Sequence, residues 1–330
     1  MSNPNNSGLG CFKGPKLFGL FYYFLKLKEK VMKIFVFYDI LNKTRFYRRR
    51  ILMKNWLRKL LTIVFAVIFL IAIGHIIHLM LDSRVAEQAA SHAQSIAGVI
   101  PTTTDAPTTE PVPSTTETKP TETTPPETTE VTLPPDDNTS YLQQLDIRAL
   151  QDVNREVIGW IYIPNTQVNY PIMHTVDNDT YLHTTWDGKD NVHGSIFLET
   201  RCSSKLKDFN TIIYGHNMLD GSMFAGLHLY RDYYYYQLHP YIYIATNDAI
   251  YRYAIFSSYE AGIRTDTYRL RFTSKEKEQA LAHYINSSVW ETELTPTTED
   301  LILTLSTCTG RGTYESRWVV QAVLEGKWNK

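Results

Sequence analysis

The chain has 330 residues, and its formal net charge of −1 hides a steep asymmetry: residues 1–59 hold fourteen Lys and Arg against two acids, so the rest is acidic. No P-loop, dinucleotide fingerprint or basic recognition helix is present, which leaves nucleotide and nucleic-acid functions without support. Three cysteines, Cys11, Cys202 and Cys308, are too few for a disulfide framework.

Residues 1–59 form a basic cytoplasmic segment. Between Lys16 and Leu41, apolar and aromatic residues are interrupted by Lys26, Lys28, Lys30 and Lys33, the pattern of an amphipathic interfacial helix. An equally good reading starts translation at Met53 and makes 1–52 an upstream extension. Residues 60–81 carry no Lys, Arg, Asp or Glu and are long enough, at about 1.5 Å per residue, to cross a hydrocarbon core of roughly 30 Å. The run exceeds a signal-peptide core and lacks a small-x-small cleavage site, so a single membrane span is predicted. Eight Lys and Arg between Lys43 and Lys59 precede it and only Arg84 closely follows, which puts the N-terminus in the cytoplasm and everything after about 82 outside. Residues 82–140 read as an extended stalk rich in Thr, Pro and Glu, with a short helical continuation near 85–99 and almost nothing to bury after Pro101.

Residues 141–330 suffice for one well-buried core. Leu142, Leu145, Ala149, Val153 and Val157 predict a helix, and a second is predicted over Ser274–Ile285 with Ser274 as cap. Eight short runs rich in β-branched and aromatic residues predict strands: 160–163, 168–172, 195–198, 211–214, 241–244, 251–256, 301–305 and 318–324. Many short strands with few helices indicate a closed barrel or sandwich. Tyr233–Tyr236 read as packing or a loop anchor.

The chemistry concentrates in three side chains. Cys308 follows the buried run 301–305, and Arg317 opens the next run, nine positions on. A thiol is a nucleophile, and a guanidinium that cannot lose its proton suits a developing oxyanion. Arg311 is the rival, flanked by Gly310 and Gly312. His216 follows a strand and Gly215, where a strand end presents an imidazole able to pair with a thiol or protonate a leaving amine. A Cys202–Cys308 disulfide is the structural alternative. Neither Cys nor His has a second metal ligand at a usual short spacing, so no metal and no cofactor is expected.

The segment Thr304-Leu305-Ser306-Thr307-Cys308 followed by Arg317-Trp318-Val319-Val320 resembles the active-site signature of the sortases, specifically class B. Gly159-Trp160-Ile161, Tyr170-Pro171-Ile172, Asp177-Asn178-Asp179-Thr180-Tyr181-Leu182, Gly194-Ser195-Ile196-Phe197-Leu198, Tyr214-Gly215-His216-Asn217-Met218 and Ser222-Met223-Phe224 extend the likeness across 141–330. The resemblance implies a mainly β fold, an eight-stranded sortase-type barrel with flanking helices, behind a single transmembrane helix. It implies a cysteine transpeptidase of Gram-positive cell surfaces that cleaves a sorting signal after Thr through a thioacyl-enzyme, with Cys308 as nucleophile, His216 as acid and base, and Arg317 holding the oxyanion. It places Asn178, Tyr181 and Ser306 near the peptide groove. Where some relatives carry an acid after the cysteine, this chain has Thr309. Implied partners are surface proteins bearing a sorting signal, an amine acceptor such as a peptidoglycan precursor, and the membrane. A thiol protease hydrolysing the same signal and a non-catalytic surface-binding domain are the alternatives.

Overall fold

The computed structural model describes residues 55–98, 134–310 and 315–330. The readings made for residues 1–54, for the stalk between 99 and 133 and for Arg311 lie outside these. One long helix, α1 (Asn55–Ile96), leads the chain. Its stretch from Thr62 is the one helix among the described residues long and apolar enough to cross a membrane, with a mean hydropathy of 2.6 in its most apolar window and none of that window buried. Leu70, Ile71 and Met80 expose more than half their surface, as side chains meant for lipid do.

Residues 82–98, the start of the predicted stalk, carry the helical continuation expected near 85–99: they are the second half of α1 and its end, unbroken from the apolar stretch and docked on the barrel. The physical reason is a stripe of small residues: Ala86, Ala89, Ala93 and Ala97 recur every three or four positions and are buried against the barrel. The chain re-enters as α2 (Asp137–Gln143), capped by Asp136, and α3 (Ile147–Val153), capped by Asp146. These two short helices replace the single one predicted, because Asp146 accepts from Ala149 N and starts a new helix. Asp146 N also donates to Ala97 O at 3.1 Å, so the chain returns to the place it left.

All eight predicted strands form: β1 (Val157–Tyr162), β2 (Asn169–Met173), β3 (Ile196–Leu198), β4 (Asn210–Tyr214), β5 (Tyr241–Ala245), β6 (Ala249–Gly262), β7 (Ile302–Cys308) and β8 (Ser316–Asn329). They close into a barrel in the order β1-β2-β3-β4-β7-β8-β6-β5. Period-2 side chains of opposite strands fill it: Ile161, Ile172, Ile213, Ile244, Leu305 and Val320 are fully buried. Helix α5 (Ser274–Ser287) covers β6 from outside, with a capping box built by Thr273 and Glu276 rather than by Ser274. Tyr233–Tyr236 lie in a short helix, α4 (Tyr233–Leu238), where the Tyr236 ring stacks on Trp290 at 4.1 Å.

Candidate active site

Two strand pairings build the site. Central strands β4 and β7 run parallel, with Tyr214 opposite Ser306 as the last pair, and Gly215 N continues the ladder to Ser306 O at 3.2 Å. The chains leaving this edge therefore carry His216 and Cys308 out of the barrel side by side. On its other side β7 pairs antiparallel with β8, and there the last pair is Cys308 with Arg317. Residues far apart in sequence are thus gathered at one end of the barrel. Gly215 has no room for a side chain, since a Cβ would lie 2.5 Å from Ile196 Cδ1 and 2.7 Å from Phe224 Cγ.

His216 is 6% exposed, and its Nε2 lies 2.8 Å from Leu182 O. A carbonyl only accepts, so Nε2 carries the proton and Nδ1 is left as the basic nitrogen. Burial pulls the imidazole's pKa below its ordinary value, the Leu182 carbonyl opposes this, and His183, His193 and Arg317 push it further down. Arg317 is also buried, which lowers its pKa, while the Tyr268 and Tyr214 phenols nearby favour its charge.

The carbonyl of Cys308 is gripped from two sides, by Asn217 Nδ2 at 3.1 Å and by His228 Nε2 at 2.9 Å. Neither contact was expected from sequence. Asn217 was visible only as the neighbour of His216, and His228 as one of several histidines; its signal, a place on the 3-10 turn Ala225–Arg231 that packs over Trp318, exists only in three dimensions. Thr309 is buried, and its Oγ1 has no hydrogen-bond partner among the described residues.

Cys202 is a buried free cysteine whose thiol burial pushes up to about 12, so the Cys202–Cys308 bridge does not form.

The three residues placed at the groove by resemblance turn their polar atoms inward. Asn178 donates to Glu199 Oε2 and accepts from Thr200 N, both at 2.9 Å. Tyr181 donates to Glu156 and accepts from Asn154 Nδ2. Ser306 Oγ and Tyr268 OH lie 2.9 Å apart, and the Tyr268 ring stacks on Tyr214. All three are buried, so their polar atoms serve the walls of the site rather than its open surface. No group of three or more His, Cys, Asp or Glu suited to a metal occurs among the described residues.

A closed eight-stranded barrel with Cys308, His216 and Arg317 gathered at one rim is an architecture of the sortase type. The family model described as the Sortase domain matches residues 161–325. Sortase B of Listeria monocytogenes is 38% identical over 186 residues, 55% of this chain and 75% of its own length, and Sortase B of Staphylococcus aureus is 31% identical over 161 residues, 48% of this chain and 66% of its own. Among solved structures, sortase B from Bacillus anthracis in complex with AAEK1 aligns with TM-score 0.50 at 37% identity, covering 55% of this chain and 84% of that one. A Staphylococcus aureus sortase B–substrate complex aligns with TM-score 0.52 at 30% identity, covering 56% and 85%. The chain belongs to the sortase family, and within it to class B.

Proposed function

We propose that this chain is a membrane-anchored cysteine transpeptidase that cuts a C-terminal sorting signal of surface proteins after Thr and passes the acyl group to an amino group of a cell-wall precursor. The convergence of Cys308, His216 and Arg317 at one barrel rim carries this reading. The Cys308 thiol passes its proton to His216 Nδ1 and the thiolate adds to the Thr carbonyl; the oxyanion faces the Arg317 guanidinium, the C–N bond breaks, and Nδ1 gives that proton to the leaving amine. The incoming amine then adds to the thioester, His216 takes its proton, and Sγ leaves as thiolate. No cofactor enters the cycle.

Asn178, Tyr181 and Ser306 act through the walls they hold: Tyr181 lies in the 3-10 turn Thr180–Leu182 that aims the Leu182 carbonyl at His216, and Ser306 ties the Tyr268 ring beside Arg317. The excess of Lys and Arg before residue 60 favours a cytoplasmic N-terminus and an extracellular barrel.

The test is the full-length protein in detergent with reductant, given candidate sorting peptides with and without an amine acceptor. Ligated product is expected. Hydrolysis alone, unaffected by the amine, would make it a thiol protease, and no turnover of any peptide would favour a binding domain. Cys308→Ala abolishes both ligation and hydrolysis; turnover surviving in that variant sinks the mechanism.

A further inference from the structure

Helix α1 does more than cross an apolar layer. Past Leu81 its exposed apolar surface gives way to the buried alanine stripe, and small side chains let barrel residues reach the helix backbone. Trp186 Nε1 donates to Ala89 O at 2.7 Å, and Asn191 Nδ2 donates to Asp82 O at 2.9 Å. Ser83 Oγ donates to Asp220 Oδ2 at 2.9 Å, and that same oxygen meets His193 Nε2 at 3.1 Å.

These barrel residues belong to the two loops that bracket His216. Trp186, Asn191 and His193 sit in the 183–195 excursion, which begins just after Leu182, the residue whose carbonyl accepts from the His216 ring. Its base is sewn shut by Ser195 N to Tyr181 O at 2.9 Å and Asn191 N to His183 O at 2.8 Å. Gly194 fits only because it lacks a Cβ, which would fall 2.4 Å from Tyr181 O at a φ of +56°. Asp220 sits in the 217–223 loop that follows His216, closed by an Asn217–Met223 bridge and by Phe224 N to His216 O at 2.8 Å.

We propose that the tail of α1, Asp82 to Ala97, is a positioning brace for His216, tying the loop that supplies the ring's hydrogen-bond acceptor to the loop that follows the ring. This rests on the assignment of His216 as the acid and base. The helix that leaves the apolar layer is then part of the working site, and the barrel is mounted where that layer ends. A ring gripped through both loops keeps its Nδ1 aimed and stays shielded from water; a ring on loosened loops loses both properties.

The experiment uses the full-length protein with the double substitution Ser83→Ala and Trp186→Phe, which deletes two of the brace's bonds while keeping an aromatic ring at 186. Expected are a fall in kcat of about tenfold, a KM for sorting peptide within about twofold of the parent, and an acid limb of the kcat–pH profile displaced upward toward the ordinary imidazole range of about 6.5. The groups facing the ring that shape this limb are His183, His193 and Arg317, with Asp220 acting through His193. Gln88→Ala, on the exposed face of α1, keeps parental kinetics. Thermal melts run alongside: a kcat loss with an unmoved acid limb means general loosening and overturns the brace, as does an unchanged kcat. Cys308→Ala and His216→Ala are measured in the same series. Activity surviving in either overturns the catalytic assignment, whereas dead single variants beside a normal double variant overturn the brace alone.

Discussion

Cys308 and Arg317 are the terminal pair of the β7–β8 ladder, so a sulfur and a fixed positive charge leave adjacent strands from directly opposed positions. Directly opposed residues of an antiparallel pair project from the same face with Cβ atoms about 5 Å apart, which is the spacing an oxyanion on a substrate carbonyl needs between nucleophile and guanidinium. Arg317→Ala therefore lowers kcat on the order of 100-fold or more, and Arg317→Lys restores only part of it because an ammonium lacks the planar fork. Steady-state kinetics on a sorting peptide checks this. A large loss in Arg311→Ala with Arg317→Ala intact means the wrong arginine has been assigned.

His228 and Asn217 both hold the Cys308 carbonyl. Gln places an amide nitrogen where the His Nε2 stands, so His228→Gln keeps most of the activity, while His228→Leu loses about fivefold in kcat, the worth of one net hydrogen bond of about 1 kcal/mol. Equal rates in the two variants would show that the contact does not orient the nucleophile.

Asn210 is fully buried, donates to Thr267 O and Arg269 O at 3.0 Å each, and accepts from Thr304 Oγ1 at 2.7 Å. It staples β4 and β7 to the 265–269 turn that carries Tyr268. Asn210→Leu removes the donor to two carbonyls and the acceptor of the Thr304 hydroxyl, and costs about 2–4 kcal/mol, measurable as a lowered denaturation midpoint. A change under about 0.5 kcal/mol would mean water replaces the amide without loss.

The pKa values of both His216 and His228 are lowered in the fold, burial being the first cause for each. The unfolded chain then takes up protons at higher pH than the folded one. Their contribution is fully present above the unfolded value of about 6.5 and is lost as the pH falls from there through the folded pKa. Stability thus declines on acidification from pH 7 to 5, and the double variant His216→Gln with His228→Gln flattens that decline. Chemical denaturation at a series of pH values tests it; parallel curves for parent and variant would refute it.

Ala97 and Thr139 are both fully buried against the barrel, one on each side of the Thr/Pro/Glu segment. With both of its ends docked there, the contour length of that segment is expected not to set the distance from barrel to membrane. Replacing residues 101–133 with a Gly/Ser linker half as long leaves the energy transfer between a dye on the barrel and acceptors in a vesicle unchanged. Stronger transfer in the shortened protein would restore the segment to the role of a spacer.

Much of the catalytic domain can be read directly from residue order. Strands such as Thr211–Tyr214 and Leu301–Leu305 announce themselves because a strand buried on both faces reads as a largely apolar run, and Cys308 and His216 are conspicuous because they follow such runs, Arg317 because it opens one. Ala86, Ala89, Ala93 and Ala97 carry no such mark: small residues give a weak hydrophobic signal, and a helix that continues out of an apolar span looks like the start of a spacer until the surface it packs on is known. Asn178, Tyr181 and Ser306 were placed by resemblance at a groove, and only coordinates reveal that Glu199, Glu156 and Tyr268 occupy their polar atoms.

Local chemistry, by itself, determined which segments are strands, where a helix long and apolar enough to cross a membrane lies and which side chains are candidates for the chemistry, since periodicity and functional groups are properties of neighbours in the chain. Tertiary structure alone decided which carbonyl fixes the His216 tautomer, which histidine grips the Cys308 backbone and where α1 comes to rest, because each is a contact closed over tens of residues.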